Sequence, residues 1–211
     1  MPYESIIEKL SSKKSAERRK AAKDIGKQKI TTLSEELFNA YLEEKKDKRT
    51  WETQTEMILS LGLIDYKPAL SVIEPIVFLN ASHDMITYAS AQTYVRLKRK
   101  SIHDAQPIIE LLKFGGLSLV DGALNPLAYD KMMPPREEII ELIQLSRDLH
   151  NHKDYERGYS DPRYGLAAAC AGWDKKITED FLNHCLATAG MDNSLIHAAE
   201  GSLKGKYIAL R

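Results

Sequence analysis

The chain has 211 residues, of which 28% are charged, and its 30 basic and 30 acidic side chains balance to a formal net charge of +0. This balance removes the simplest electrostatic argument for a nucleic-acid or acidic-membrane partner. No apolar run is long enough for a signal peptide or a membrane span, so the sequence predicts a soluble, cytoplasmic protein with no membrane partner.

Apolar residues recur three and four positions apart, which predicts α-helices. In KPALSVIEPIVFLNASHD the apolar stripe runs through Ala69, Ile73, Ile76 and Val77 and ends at Asn80. The segments SIHDAQPIIELLKFGG and PREEIIELIQLSRDLH follow the same period. Because no stretch shows sustained period-two alternation between turn signals, the predicted fold class is all-α.

A pair of residues four positions apart, in most cases an alanine followed by an aliphatic residue, occurs six times. In chain order the pairs are Ala21/Ile25, Met57/Leu61, Ala91/Val95, Ala123/Leu127, Ala167/Ala171 and Ala199/Leu203, with intervals of 36, 34, 32, 44 and 32 residues. A small helical residue lets a neighbouring helix approach closely, and the larger residue one turn later fills the groove. The spacing therefore predicts stacked two-helix units, because one hairpin cannot bury its apolar face alone.

The segment IIEKLSSKKSAERRKAAKDIGK resembles a HEAT repeat: a helix ending in Leu, a polar turn, and Arg-x-x-Ala-Ala-x-x-hydrophobic-Gly. Pro75 and Pro107 stand where the first helices of HEAT repeats often carry proline. The repeats are divergent, because the family's second-helix arginine corresponds only to Arg18 and its turn aspartate to Ser12. The resemblance covers nearly the whole chain and implies one domain, residues 1–211, folded as a right-handed α-α superhelix (solenoid) of about six hairpins. Their approximate bounds are 1–30, 31–66, 67–100, 101–133, 134–175 and 176–211.

Two other repeat families have similar periods. Tetratricopeptide repeats need Trp-x-x-Leu-Gly-x-x-Tyr and ankyrin repeats need Thr-Pro-Leu-His, and no segment supplies either pattern. Another α-α superhelix or a helical bundle is the remaining alternative to the HEAT-like arrangement.

The resemblance implies that second helices line the inner face of the solenoid, so their polar and aromatic residues form the expected partner-binding set. On these helices the set comprises Arg18, Arg19, Trp51, Gln54, Tyr88, Asp121, Asn125, Arg163, Tyr164 and His197. Aromatic, arginine and amide side chains are typical of protein-binding hot spots. Burial between repeats is the alternative for Trp51.

The interval of 44 residues exceeds the median of 34 by 10, and the excess falls in LHNHKDYERGYSDPRYG, as an inserted loop at 150–161. Such a connection is expected to project from the solenoid, and its Tyr155, Arg157 and Tyr159 favour a contact with a partner. A tolerated insertion without a role is the alternative.

Two basic stretches suggest a different partner. Residues 13–29 carry a local charge of +6, and RLKRK spans Arg96 to Lys100. Contact with phosphates or with an acidic protein is one interpretation, and a solvated helix face is the other.

Signals for catalysis and metal binding are weak. His150 and His152, with Asp154 and Glu156, form a His-x-His loop of low specificity without zinc-site spacing. Phosphate loops, nucleophile elbows and His-Glu-x-x-His motifs are absent from the sequence. Cys170 and Cys185 lie in helical patterns, which predicts buried thiols in a reducing compartment. We therefore predict no enzyme, no catalytic residue, no cofactor and no metal.

These features together predict a non-catalytic solenoid that binds another protein as an adaptor or inhibitor. Small bacterial proteins that resemble this one often neutralise a toxin or effector by covering its active surface, so an immunity-type role is a specific form of this hypothesis. The alternative is a nucleic-acid-binding HEAT protein, similar to helical-repeat DNA glycosylases, that uses residues 13–29 and 96–100. No motif surrounds Trp51, Asp121 or Arg163, the residues that such a glycosylase would use.

Overall fold

The computed structural model of the protein describes residues 3–152, 155 and 160–208. Every regular element in this part of the chain is a helix, which confirms the predicted all-α fold class. The longest described helices have 14 residues, and none of them is long and apolar enough to cross a membrane. The chain divides into two compact units between Leu97 and Lys98.

The first unit contains the first six α-helices. They are α1 (Tyr3–Leu10), α2 (Ser15–Gln28), α3 (Ser34–Glu44), α4 (Trp51–Leu63), α5 (Leu70–Leu79) and α6 (Met85–Lys98), with the unit boundary before the last residue of α6. Helix α1 packs against α2 and α3, and α4 packs against the same two helices. In this part of the unit, contacts therefore form both between consecutive helices and between helices two places apart in the chain.

The second unit contains the other six. They are α7 (Gln106–Phe114), α8 (Leu117–Tyr129), α9 (Arg136–Ser146), α10 (Tyr164–Ala169), α11 (Lys175–Thr188) and α12 (Asn193–Leu203). The odd-numbered helices pack in the order α7, α9, α11, and the even-numbered ones in the order α8, α10, α12. Helix α7 also packs against α8, and α11 against α12.

Local sequence explains where several of these helices begin. Pro107 lies in the first turn of α7, where its missing N–H needs no partner. Asp174 accepts a hydrogen bond from the Lys176 N–H at the start of α11, and Asp192 accepts two from the first turn of α12. Such caps satisfy the unpaired N–H groups of a helix end.

The six residue pairs that suggested a repeat lie on the even-numbered helices or directly after them. All twelve residues are buried except Ala171 and Leu203, which are half-buried. Most of the side chains that form the periodic pattern in the sequence are therefore buried core residues of one unit or the other.

Small residues allow the even-numbered helices to approach closely. In the first unit, a Cβ atom added to Gly26 of α2 would lie 2.9 Å from the Cα atom of Ser60 in α4. The Thr93 hydroxyl of α6 donates a 2.8 Å hydrogen bond to the Ile58 carbonyl of α4. In the second unit, the Ser202 hydroxyl of α12 donates a 2.6 Å hydrogen bond to the Ala167 carbonyl of α10.

Both cysteines are free and buried, which confirms the predicted burial of the two thiols. Burial raises the pKa of the Cys185 thiol to about 12 and raises that of Cys170 well above its ordinary value. Because thiolates are the reactive form, both side chains behave as small apolar residues.

Candidate functional site

The predicted partner-binding residues differ widely in exposure. Trp51 and His197 are exposed, and the half-buried members are Arg18, Arg19, Tyr88, Asp121, Tyr155 and Tyr164. Gln54, Asn125 and Arg163 are buried. Arg157 and Tyr159 lie outside the described residues.

Arg18 is held in an internal ion pair. Its Nη2 group donates a 2.8 Å hydrogen bond to Glu44 Oε1 in α3, and its Nη1 group donates to the Ser12 carbonyl at 2.6 Å. Burial alone would raise the pKa of Glu44, but the hydrogen bonds from Arg18 and neighbouring hydroxyls outweigh it and lower the pKa. Arg18 therefore fastens α2 to α3 and to the preceding turn.

Two predicted amides are also used internally. The buried Gln54 donates to the Asp47 carbonyl at 2.8 Å, which closes the turn before α4. The buried Asn125 donates to the Asp121 carbonyl at 2.7 Å, one turn earlier in α8.

We use the name α2–α4 surface for the exposed Lys20, Lys23 and Lys27 and the half-buried Arg19 of α2, together with the exposed Trp51 at the start of α4. Trp51 is the first residue of α4 and is 46% exposed. The three lysines are exposed and follow each other at helical spacing on one side of α2. The first unit therefore presents a row of positive charges on α2 and an exposed indole at the start of α4.

Two acidic residues of α4 mark how α2 and α4 are aligned. Arg19 forms an ion pair with Glu52, one residue after Trp51. Burial raises the pKa of Glu56, one turn further on, while the charges of Lys23 and Arg19 lower it. Residues four apart on α2 thus face residues four apart on α4, as in helices that run parallel.

The second basic stretch offers less exposed charge. Arg96 is buried, and Arg99 is paired with Asp130 at 2.8 Å, with 16% of each side chain exposed. The pairing and burial reduce the positive charge available to phosphates at 96–100.

Arg163 occupies the core of the second unit and is 0% exposed. Its Nε and Nη2 groups donate to the two carboxylate oxygens of Asp161 at 2.9 and 2.6 Å, and its Nη1 group donates to the Thr188 hydroxyl at 2.8 Å. Burial lowers the pKa of Arg163, but the hydrogen bonds and charge of Asp161 outweigh it and raise the pKa. Arg163 is thus a cross-link between α11 and the start of α10.

A cavity of about 970 Å³ lies beside this ion pair. His150, Tyr155 and Ser160 line it from the predicted loop. Thr188 at the end of α11 and Asp192 directly before α12 line it from the other side. Asp192 also accepts a 2.7 Å hydrogen bond from the Asp161 N–H, which ties the loop end to α12. The inserted loop therefore borders a cavity in the second unit.

Histidines from distant positions meet near this cavity. The ligand atoms of Asp148, His150 and His184 lie within 4.8 Å of one another. The sequence suggested His150 and His152 as a weak metal-binding pair, and it gave no signal for His184, which lies 34 residues after His150. Asp154 and Glu156, the other members of that weak cluster, lie outside the described residues.

Asp121 in α8 carries the most perturbed carboxyl group of this region. Burial raises its pKa to about 7, the hydrogen bond from Asn125 opposes the shift, and the charge of Asp161 adds to it. The folded protein therefore holds a proton on Asp121 at pH values where the unfolded chain releases it.

We expect the contribution of Asp121 to stability to fall as the pH rises from about 4 to about 7, because this carboxyl group keeps its proton in the folded state and loses it in the unfolded state over that range. Asp121→Asn removes this dependence, so the variant should be more stable than the wild type at pH 8 by on the order of 1–3 kcal/mol. Urea unfolding of both proteins at pH 5 and pH 8 measures the effect. A difference between them that does not grow with pH contradicts the shifted pKa.

Neither family models nor curated proteins provide an assignment for this chain: the search against both finds no match.

Proposed function

We propose that the chain is a HEAT-like helical-repeat protein, a right-handed solenoid, that binds another protein as an adaptor or inhibitor. Immunity-type neutralisation of a toxin or effector is a specific form of this role. The α2–α4 surface is the proposed contact site in the first unit, and the exposure of Trp51 is the observation that carries this assignment.

The sequence separations between contacting residues on neighbouring helices support the repeat. The ion pair of Arg19 with Glu52 joins residues 33 apart, and the hydrogen bonds of Thr93 with Ile58 and of Ser202 with Ala167 join residues 35 apart. These separations match the intervals of 32 to 36 residues between most of the small-residue pairs in the sequence. Helices that contact their equivalents one repeat later are typical of stacked hairpins.

The composition of the α2–α4 surface supports a protein partner with an acidic patch. Tryptophan and arginine are enriched in the few residues that carry most of the binding energy of protein interfaces. A flexible lysine row steers a negatively charged partner and speeds encounter. A partner that seats an apolar pocket on Trp51 and carboxylates on Lys20, Lys23 and Lys27 would use both features.

The internal hydrogen bonds support a rigid binding element. Arg18 fixes the N-terminal end of α2 against α3, and Gln54 fixes the turn directly before Trp51. A surface that is already ordered loses little conformational entropy when it binds, which favours tight inhibition.

Trp51→Ala is expected to weaken the complex with the partner by at least about 30-fold, which corresponds to a hot-spot loss of about 2 kcal/mol. Met191→Ala is the matched control, because Met191 is 91% exposed and belongs to the second unit. The partner is first isolated with the tagged full chain from nuclease-treated lysate of the source organism, and affinities are then measured with purified proteins. A variant that binds as tightly as the control argues against this surface.

The exposed lysines of α2 provide a second test of the proposed contact site. Replacing Lys20, Lys23 and Lys27 together by glutamate is expected to slow association and to reverse its salt dependence, because salt then screens a repulsion, with a smaller effect on dissociation. Stopped-flow measurements at two salt concentrations test this. In a parallel isolation from untreated lysate, co-purification of nucleic acid in place of protein, lost on nuclease treatment, would instead favour the nucleic-acid alternative, for which the exposed lysines of α2 are the supporting feature.

A further inference from the structure

Three side chains of the second unit converge where α9 ends and α11 passes beside it. Asp148 follows α9, His150 lies in the short 3-10 helix Leu149–Asn151, and His184 lies in α11. The packing of α9 against α11 brings them together. His184 Nε2 is 3.5 Å from Asp148 Oδ1, and the two imidazole rings have centroids 5.6 Å apart with planes inclined by 61°.

Each of the two imidazoles contains a nitrogen atom that lacks a hydrogen-bond partner within the described part of the chain. His150 Nδ1 and His184 Nε2 are both shielded from solvent, and neither has a hydrogen-bond partner among the described residues. The 3.5 Å distance from His184 Nε2 to Asp148 is too long for a good hydrogen bond. Buried polar atoms without partners are uncommon in native proteins, and an ion bound between them is one way to satisfy them.

The electrostatic surroundings suit a cation bound to neutral imidazole. Burial and the charge of Arg163 lower the pKa of His150, which favours the neutral ring that binds metals. The Arg163 charge is itself neutralised by the paired Asp161, and Asp148 adds a negative charge next to both rings. The charges around the cluster therefore permit a divalent cation to bind.

We propose that Asp148, His150 and His184 bind one divalent transition-metal ion of the zinc class. Nitrogen and oxygen ligands about 2.0–2.2 Å from a tetrahedral ion stand about 3.4 Å apart, close to the 3.5 Å between His184 and Asp148. All three ligand atoms lie within 4.8 Å of one another, and the Asp148 side chain, which is 69% exposed, can rotate to shorten its own distances to the two imidazoles. Two imidazoles disfavour Mg²⁺ and Ca²⁺, which prefer oxygen ligands throughout.

Three protein ligands leave one coordination position of a tetrahedral ion open. His150 lines the 970 Å³ cavity, so the open position would face a space large enough for a small ligand. A water molecule or an oxygen atom of such a ligand would complete the coordination. The ion would also join the 3-10 helix at the start of the predicted loop to α11. This proposal is independent of the proposed protein partner, because it concerns other residues and a different readout.

The test is calorimetric titration of the metal-free full chain with Zn²⁺, followed by the visible spectrum of the Co²⁺ form. We expect one equivalent to bind, and a cobalt spectrum without thiolate bands because both cysteines are buried elsewhere. Asp148→Asn and His184→Ala should each weaken binding by more than about 100-fold. Zn²⁺ at about 100 times its Kd should raise the Tm of the wild type by about 5–10 °C.

His152→Ala and His197→Ala are the matched controls, because each removes a histidine outside the cluster, and both should bind like the wild type. Far-UV circular dichroism checks the fold of every variant, and the exposed Asp148 provides a ligand change with little risk to the core. Binding that is lost in His152→Ala but kept in His184→Ala overturns the proposal, since it identifies the His-x-His loop alone. The absence of a one-to-one complex, or weak binding equal in all variants, overturns it as well.

Discussion

Arg163→Met is expected to destabilise the protein by about 3–5 kcal/mol, the usual effect of removing one partner from a buried ion pair. The substitution leaves the carboxylate of Asp161 buried, with 1% of its side chain exposed, and takes away both hydrogen bonds from the guanidinium. It also removes the donor to Thr188 in α11. The loss should appear as a lower urea midpoint at constant m-value.

An exposed pair in the same unit is the control for this prediction. Asp180 is 84% exposed and pairs with Arg147 at 2.7 Å, so Asp180→Ala should change stability by no more than about 1 kcal/mol. The double variant Asp161→Leu with Arg163→Met should be more stable than Arg163→Met alone, because no unpaired charge remains buried. Equal losses for the buried and the exposed pair would contradict the assigned role of Arg163.

The second large effect is expected at the contact between α8 and α10. A Cβ atom added to Gly165 would lie 2.9 Å from the Leu124 carbonyl oxygen and 3.1 Å from the Asn125 Cα atom. These are backbone atoms, which cannot move aside as a side chain can. We expect Gly165→Ala to destabilise the protein by about 2 kcal/mol, since the strain of overpacking exceeds the gain of about 1 kcal/mol in helix propensity.

Glu200→Ala, at an exposed position of α12, is the control for Gly165→Ala and should change stability by less than about 0.5 kcal/mol. Chemical denaturation of both variants gives the comparison. If Gly165→Ala stabilises the protein instead, the two helices are further apart than the structure places them.

The helices could be predicted from the sequence because their apolar residues are periodic. Ten of the twelve residues in the six repeated pairs are buried, since residues four positions apart lie on the same face of a helix. The start of α7 could also have been placed more closely, because Pro107 is a strong signal for the first turn.

Exposure was harder to predict than secondary structure. The sequence places Arg163 next to a long loop, and charged residues there usually reach solvent. Its burial depends on Asp161, two residues earlier, whose carboxylate lies parallel to the guanidinium. The sequence Asp161-Pro162-Arg163 was the signal that could have indicated this buried ion pair. Gln54 is similar, because its amide bonds to the Asp47 carbonyl in a turn whose position relative to α4 the sequence does not show.

The metal cluster could not be predicted from spacing. His150 and His184 are 34 residues apart and approach each other only because α9 packs against α11. Local patterns detect ligands on one helix or one loop, as for His150 with His152, whereas contacts between helices depend on how the helices pack against each other.

The distribution of cysteine and tryptophan gives each unit its own reporter. Both thiols lie in the second unit and are buried, so alkylation by a thiol reagent requires that unit to open. Trp173, in the same unit, is 6% exposed and donates a hydrogen bond to the Met132 carbonyl, whereas Trp51 is the tryptophan of the first unit. The rate of cysteine alkylation therefore reports local opening of the second unit, whereas fluorescence quenching of Trp51 reports changes at the surface of the first unit.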